Sequence, residues 1–115
     1  MKIKKTYFML MVADMKRALA FYRRALALEV RFESPEWSEL ASGGAVVALH
    51  GGASVGARDT GLGFEVDDLE GACAAVREAG GEIVKPPADR PGEPIRLAIV
   101  ADTEGNRFSI AASKP

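Results

Sequence analysis

Cysteine and histidine each occur once in this 115-residue chain, and each scarcity excludes a class of chemistry. Cys73 has no partner for an internal disulfide, so the core must hold the fold, and a lone thiol fits a reducing cytoplasm. His50 by itself cannot build a multi-histidine metal centre. Long apolar runs are also missing, and no stretch approaches the roughly 20 residues needed to span a bilayer. The opening MKIKK followed by YFMLMV superficially resembles a signal peptide. Its apolar run is short, however, stops at Asp14 and lacks a small-residue cleavage pattern, so it reads as a first strand. Charge imbalance is absent too. Fifteen basic residues stand against sixteen acidic ones, with no long like-charge block, which leaves no electrostatic footprint for nucleic acid or an anionic membrane. A chain of this length is expected to form one domain with a modest core.

What the chain does have is a unit that occurs twice. Tyr7 to Val12 is a short apolar run, and Met15, Ala18, Leu19, Tyr22, Ala25 and Leu26 then recur at the spacing of one helical face. Asp14 lies between them as an N-cap, its carboxylate placed to accept from the free N–H groups of the first turn. Sliding the sequence so that Asp14 falls on Asp68 also sets Val12 on Val66, Ala18 on Ala72, Arg23 on Arg77 and Val30 on Val84. The chain therefore reads as two copies of one strand–Asp–helix unit.

The remaining punctuation completes each copy. Leu28–Glu33 and Trp37–Ala41 read as strands around a turn at Ser34-Pro35, and Gly43-Gly44 as a hairpin leading into a strand over Ala45–His50. Residues 52–59, rich in glycine, form a linker between units of about 1–51 and 60–115. Beyond it come a strand over Gly61–Val66, a helix capped by Asp68 and ended by Gly80-Gly81, and a short strand over Glu82–Lys85. The stretch from Pro86 to Pro94 is too rich in proline for a regular element, and strands over Ile95–Ala101 and Arg107–Ala112 close the chain. Both units are βαβββ and the fold class is α+β.

Alternation along the strands assigns their faces. The helix-facing sets are Phe8, Leu10 and Val12; Val47 and Leu49; Leu62, Phe64 and Val66; Leu97 and Ile99; and Phe108 and Ile110. The opposite sets are Tyr7, Met9 and Met11; Val46, Ala48 and His50; Gly61, Gly63 and Glu65; Arg96, Ala98 and Val100; and Arg107, Ser109 and Ala111. This second face mixes polar with small residues and is the better ligand-facing concavity.

The segments VADMKRALAFYRRAL, ALHGG, FEVDDLEGACAAVREAGGEI and ADTEGNRFSI, in that order and over nearly the whole chain, resemble the vicinal oxygen chelate superfamily. That superfamily groups glyoxalase I, extradiol dioxygenases, fosfomycin-resistance enzymes and bleomycin-resistance proteins. The resemblance implies two βαβββ modules whose curved sheets form a cup with helices on the outside, often within a homodimer. In metal-dependent members it also implies cup-facing ligands on the first and last strands of each module. Those positions fall here on Tyr7, Gly61, Ala48 (with His50 one cup-facing step away) and Ser109. Three of them have no side chain suited to a divalent cation, and tyrosine must lose its proton to serve. The expectation is therefore no metal and no cofactor, as in the bleomycin-resistance branch.

The expected ligand contacts are Tyr7, Met9, Met11, Trp37, Glu39, Ala48, His50, Arg96 and Ser109. Tyr7 offers a phenol to a ligand or fills the cup mouth with its ring. Trp37, Met9 and Met11 suit an adaptable apolar wall or, equally, core packing or a dimer interface. Arg96 suits a ligand carboxylate or phosphate, or pairs with Glu65 or another acidic residue. The leading expectation is a cytoplasmic homodimer that encloses a small organic ligand, with no nucleic-acid or membrane partner. The rival is a lyase, isomerase or dioxygenase-type enzyme with His50, Tyr7 or Glu65 as its proton-transfer candidates, or with a non-standard metal site.

Overall fold

A computed structural model describes residues 1–115. The first unit runs β1 (Phe8–Met11), α1 (Met15–Leu26), β2 (Glu29–Phe32), β3 (Trp37–Ser42) and β4 (Ala45–His50). The second runs β5 (Arg58–Glu65), α2 (Leu69–Glu78), β6 (Glu82–Asp89), β7 (Ile95–Ala101) and β8 (Asn106–Ser113). Each unit folds into a four-stranded mixed sheet, in the orders β1-β4-β3-β2 and β5-β8-β7-β6, with the first strand parallel to the last. Each module thus carries one helix on one mixed sheet, and the sheets do not close. No helix is long and apolar enough to cross a membrane.

The helix starts follow from their caps. Asp14 Oδ1 accepts from the Arg17 N–H at 3.0 Å, and Asp68 Oδ1 accepts from the Gly71 N–H at 2.9 Å. The ends differ. The first helix stops at Ala27, held left-handed at φ 54°, whereas Gly80 takes φ 96° just beyond the second. Glycine adopts this region without the Cβ clash that alanine meets.

One buried hydrophobic cluster of 21 residues draws on both modules. Helices α1 and α2 pack on each other, and Phe21 and Tyr22 of α1 reach Phe108 of β8 at ring-centroid separations of 6.4 and 5.9 Å. Gly81 makes the close approach possible. A Cβ there would sit 2.7 Å from the Phe21 ring and 2.6 Å from the Ala101 carbonyl.

Three expectations change. β5 begins at Arg58, so the strand takes in the end of the glycine-rich stretch, and its register against β8 shifts between Asp59 and Gly63. β6 continues through Pro86-Pro87 to Asp89, which its edge position in the sheet allows because prolines there break no ladder on the free side. The third change concerns which way β7 faces. It pairs Ala98 with Ile110 and Val100 with Phe108, so the two smaller residues face the helix, while Leu97 and Ile99 turn to the opposite face beside Ala111 and Ser109. Reading the larger apolar residues as the buried ones reversed the phase of this strand.

Candidate functional site

The first module's concave face is built by alternation from β1, β3 and β4. Met9 lies beside Ala48 and Met11 beside His50, while Trp37 pairs with His50 and Glu39 with Ala48. Alternate positions put Leu10, Leu40, Val47 and Leu49 into the core, so burial of that set obliges the other set outward. Just before β1, Tyr7 meets Trp37 edge-to-face at 5.3 Å, and Trp37 meets the His50 ring at 6.2 Å. Ala48 is fully buried as the floor. The structure thus brings Tyr7, Met9, Met11, Trp37, Glu39, Ala48 and His50 onto one sheet face. Phe32 joins them by pairing with Glu39, after the register of β2 shifts between Val30 and Phe32.

Two polar groups on this face are held in defined states. The Trp37 indole N–H donates to Glu39 Oε2 at 2.8 Å, and Lys5 Nζ donates to Oε1 at 2.8 Å and Oε2 at 2.9 Å. Hydrogen bonds from Lys5 and then Trp37 hold the Glu39 carboxyl below its ordinary pKa. His50 Nδ1 lies 2.7 Å from the Gly51 carbonyl oxygen, which can only accept, so Nδ1 is the donor and Nε2 is left without a partner. Lys5 and Phe32 were not among the expected contacts. Plain alternation from Val30, which pairs with the buried Leu40, sends Phe32 to the core side, so only the register shift in β2 brings it to this face; nothing in the pattern before Tyr7 pointed to Lys5.

The second module's face holds Glu65 and Ser109 with Gly63, Ala111, Leu97 and Ile99. Gly63 leaves the Ser109 hydroxyl uncovered, since a Cβ there would come within 2.9 Å of its Oγ. Arg96 is not on this face. It pairs with Ala112 on the helix side, bonds Glu70 of α2 at 2.7 Å and approaches Asp89 at 3.5 Å. The reversed phase of β7 is the reason: Arg96 makes no contact on the concave face, and it pairs with acidic residues as the alternative had it, but with Glu70 and Asp89 in place of Glu65.

The densest polar network lies between the modules, in the turn from β7 to β8. Glu104, whose side chain is fully buried, accepts at Oε1 from the N–H groups of Ala13 and Asp14, both at 2.9 Å. Its Oε2 accepts from Arg17 Nε at 2.9 Å and from Thr103 Oγ1 at 2.6 Å. Burial alone would raise its pKa, but the bonds from Arg17, Thr103, Asp14 and Ala13 outweigh that and bring it to about 2. Beside it, Asp102 Oδ2 accepts from the Tyr22 hydroxyl at 2.6 Å, and Asn106 Nδ2 donates to the Met11 carbonyl at 2.8 Å. No buried side-chain N or O atom lacks a partner. With its hydrogen-bonding capacity used internally, this network joins the modules and leaves little for a substrate. The turn motif was visible in the sequence, but its partners Arg17 and Tyr22 sit far away in the chain and carry no local signal.

Of five surface clefts, the two largest lie apart. One of about 720 Å³ opens at the start of α1, lined by Ala13–Lys16 and Glu33–Pro35, and includes none of the expected contacts. A smaller one of about 460 Å³ follows the free edge of β1, where Tyr7, Met9 and Met11 face Arg58, Asp59 and Thr60. The four positions on which the family resemblance would place metal ligands supply one phenol at Tyr7 and one hydroxyl at Ser109, with a buried methyl at Ala48 and no side chain at Gly61. No three His, Cys, Asp or Glu side chains converge anywhere in the chain. These residues do not fit a divalent cation.

A family model described as Glyoxalase/Bleomycin resistance protein/Dioxygenase superfamily matches residues 5–110. No curated protein matches by sequence. Among solved structures, the chain is similar to the fosfomycin resistance protein FosX of Listeria monocytogenes complexed with Mn(II) and 1S,2S-dihydroxypropylphosphonic acid. The TM-score is 0.81 at 18% identity, covering 99% of this chain and 93% of that one. A glyoxalase/bleomycin resistance protein/dioxygenase family enzyme from Burkholderia phytofirmans PsJN superposes with a TM-score of 0.78 at 20% identity, covering 94% and 97%. TioX from Micromonospora sp. ML1 does so at 0.73 and 19% identity, covering 95% and 99%.

Proposed function

The chain belongs to the Glyoxalase/Bleomycin resistance protein/Dioxygenase superfamily, and from that premise we propose that it binds a small organic ligand on its concave faces without a metal ion. One observation carries this reading. Tyr7, Met9 and Phe32 lie 47%, 45% and 54% exposed on one sheet face, beside Trp37. Aromatic and thioether groups left open in a concavity bind planar or aliphatic surfaces, each Å² of apolar area removed from water contributing about 25 cal/mol. Tyr7, Met9, Met11, Trp37, Glu39, Ala48 and His50 form the wall and floor, and Ser109 serves the other sheet. The donor set at the metal positions supports independence from metal. Stoichiometric Zn, Ni, Mn or Fe in protein purified without chelator would overturn it.

The working form is a homodimer, in which a second copy covers the open faces and the free edges of β1 and β5. A monomer by light scattering would refute this. The partner is a small molecule rather than nucleic acid or membrane, and the compartment is the cytoplasm, in keeping with the free thiol of Cys73. A thermal-shift screen against antibiotics and aromatic metabolites, followed by native mass spectrometry, tests the binding reading. Stabilisation by at least one compound with a matching mass increment is expected, and a flat screen counts against it.

A proton-transfer enzyme is the second reading, favoured by the uncommitted Nε2 of His50 on the same face as Tyr7. Its acid–base pair would be His50 and Tyr7, since Glu65 belongs to the other sheet. Turnover of a bound compound that disappears in His50→Ala and Tyr7→Phe would establish it.

A further inference from the structure

Two carboxylates lie on the first module's concave face: Glu29, beside Ala41 on the edge strand and 71% exposed, and Glu39, whose side chain is only 15% exposed among apolar neighbours. Trp37 fixes it through the indole N–H on Oε2, and the perpendicular rings of Tyr7 and Trp37 stand beside it. What completes the carboxylate is an ammonium. Lys5 Nζ spans both oxygens at 2.8 and 2.9 Å, sharing Oε2 with the indole.

That ammonium comes from a segment with little else to hold it. Residues 1–7 form no helix or strand and are exposed throughout. Holding a lysine there costs side-chain entropy, and an ion pair with one partner 48% exposed contributes at most about 1 kcal/mol. A ligand carrying its own ammonium would make the same two contacts. It would add cation–π attraction to Trp37 and Tyr7 and bury its apolar body on Met9 and the rings.

We infer that the Glu39–Trp37 corner is the receptor for a protonated amine on the ligand, and that Lys5 is its intramolecular placeholder, displaced on binding. This rests on the small-molecule reading of the concave face and names the ligand class: organic amines with an aromatic or aliphatic body. Neutral and anionic analogues lack the group that replaces Lys5.

Trp37 is the only tryptophan, so its emission reports the corner directly. Benzylamine, protonated at neutral pH, and neutral benzyl alcohol are titrated against the full chain at low salt, as wild type, Lys5→Ala and Glu39→Gln. Removing the competing lysine lowers the benzylamine midpoint about two- to fivefold. Glu39→Gln abolishes the preference for benzylamine, and the benzyl alcohol midpoint stays constant across all three proteins. Equal midpoints for the two probes in wild type overturn the inference while leaving a small-molecule site in place. An unchanged benzylamine midpoint in Lys5→Ala also overturns it, and that variant lies on an exposed arm whose loss leaves the core intact, so it decides even if Glu39→Gln misfolds. No response to either probe overturns the ammonium assignment, and the thermal-shift screen then decides the small-molecule reading separately.

Discussion

The two modules repeat each other through strand, cap and helix, then part at the turn before their last strand. In the first, Ser42 pairs directly with Ala45 across Gly43-Gly44, a minimal hairpin with open space where either glycine's side chain would stand. In the second, the turn from Asp102 to Gly105 places a buried carboxylate, Glu104, on the N-terminus of the first module's helix. One helix start is thus capped twice, by Asp14 and by Glu104, and the other only by Asp68. Duplication supplies the architecture, and the difference between the turns ties one copy to the other.

The largest test of this asymmetry is Glu104→Ala. It leaves the Arg17 guanidinium and the N–H groups of Ala13 and Asp14 facing a cavity, and a loss of about 3 kcal/mol in denaturant unfolding is expected. A loss below about 1 kcal/mol would show that the modules do not depend on the turn.

The same carboxylate predicts an acid response. Its folded pKa of about 2 lies below the ordinary value of 4.5, so its contribution is fully present above the latter and is lost as pH falls from there toward 2. Wild type should lose stability across that window more steeply than Glu104→Ala. Parallel curves for the two proteins would contradict the assignment.

Tyr22→Phe removes the donor to Asp102 Oδ2 while keeping the ring that packs on Phe108, and about 2 kcal/mol of destabilisation is expected. Thermal melts that coincide with wild type would detach Tyr22 from the junction.

The helix ends give the smaller contrasts. Ala27→Gly should raise stability by about 1 kcal/mol, because it gives the first helix the residue type that the second already uses at Gly80. At the bottom of the scale, Gly44→Ala, with nothing within 4 Å of the added Cβ and no left-handed backbone to strain, should change stability by less than about 0.5 kcal/mol.

Much of the fold was legible because the signals are local. Asp14 and Asp68 sit where the apolar period changes, and both cap their helices as read. Alternation correctly placed β1, β4, β5 and β8, and with them Tyr7, Met9, Met11, Ala48, His50 and Ser109 on the concave side. It failed on β7, where both alternating sets are apolar and hydrophobicity alone cannot choose between them. Pairing with Phe108 and Ile110 chose, moving Arg96 to the helix side. It also missed the continuation of β6 through Pro86-Pro87, since only knowledge of the strand's edge position makes proline acceptable there.

The sequence by itself determined the duplicated βαβββ plan and the helix caps, because those depend on residue type and short-range spacing. Tertiary structure alone decided that Glu104 caps the other module's helix, that Tyr22 bonds Asp102, and that Lys5 meets Glu39 beside Trp37. Each of these joins residues far apart in the chain. Their partners are selected by the packing of two sheets and two helices around one core, which no local pattern encodes.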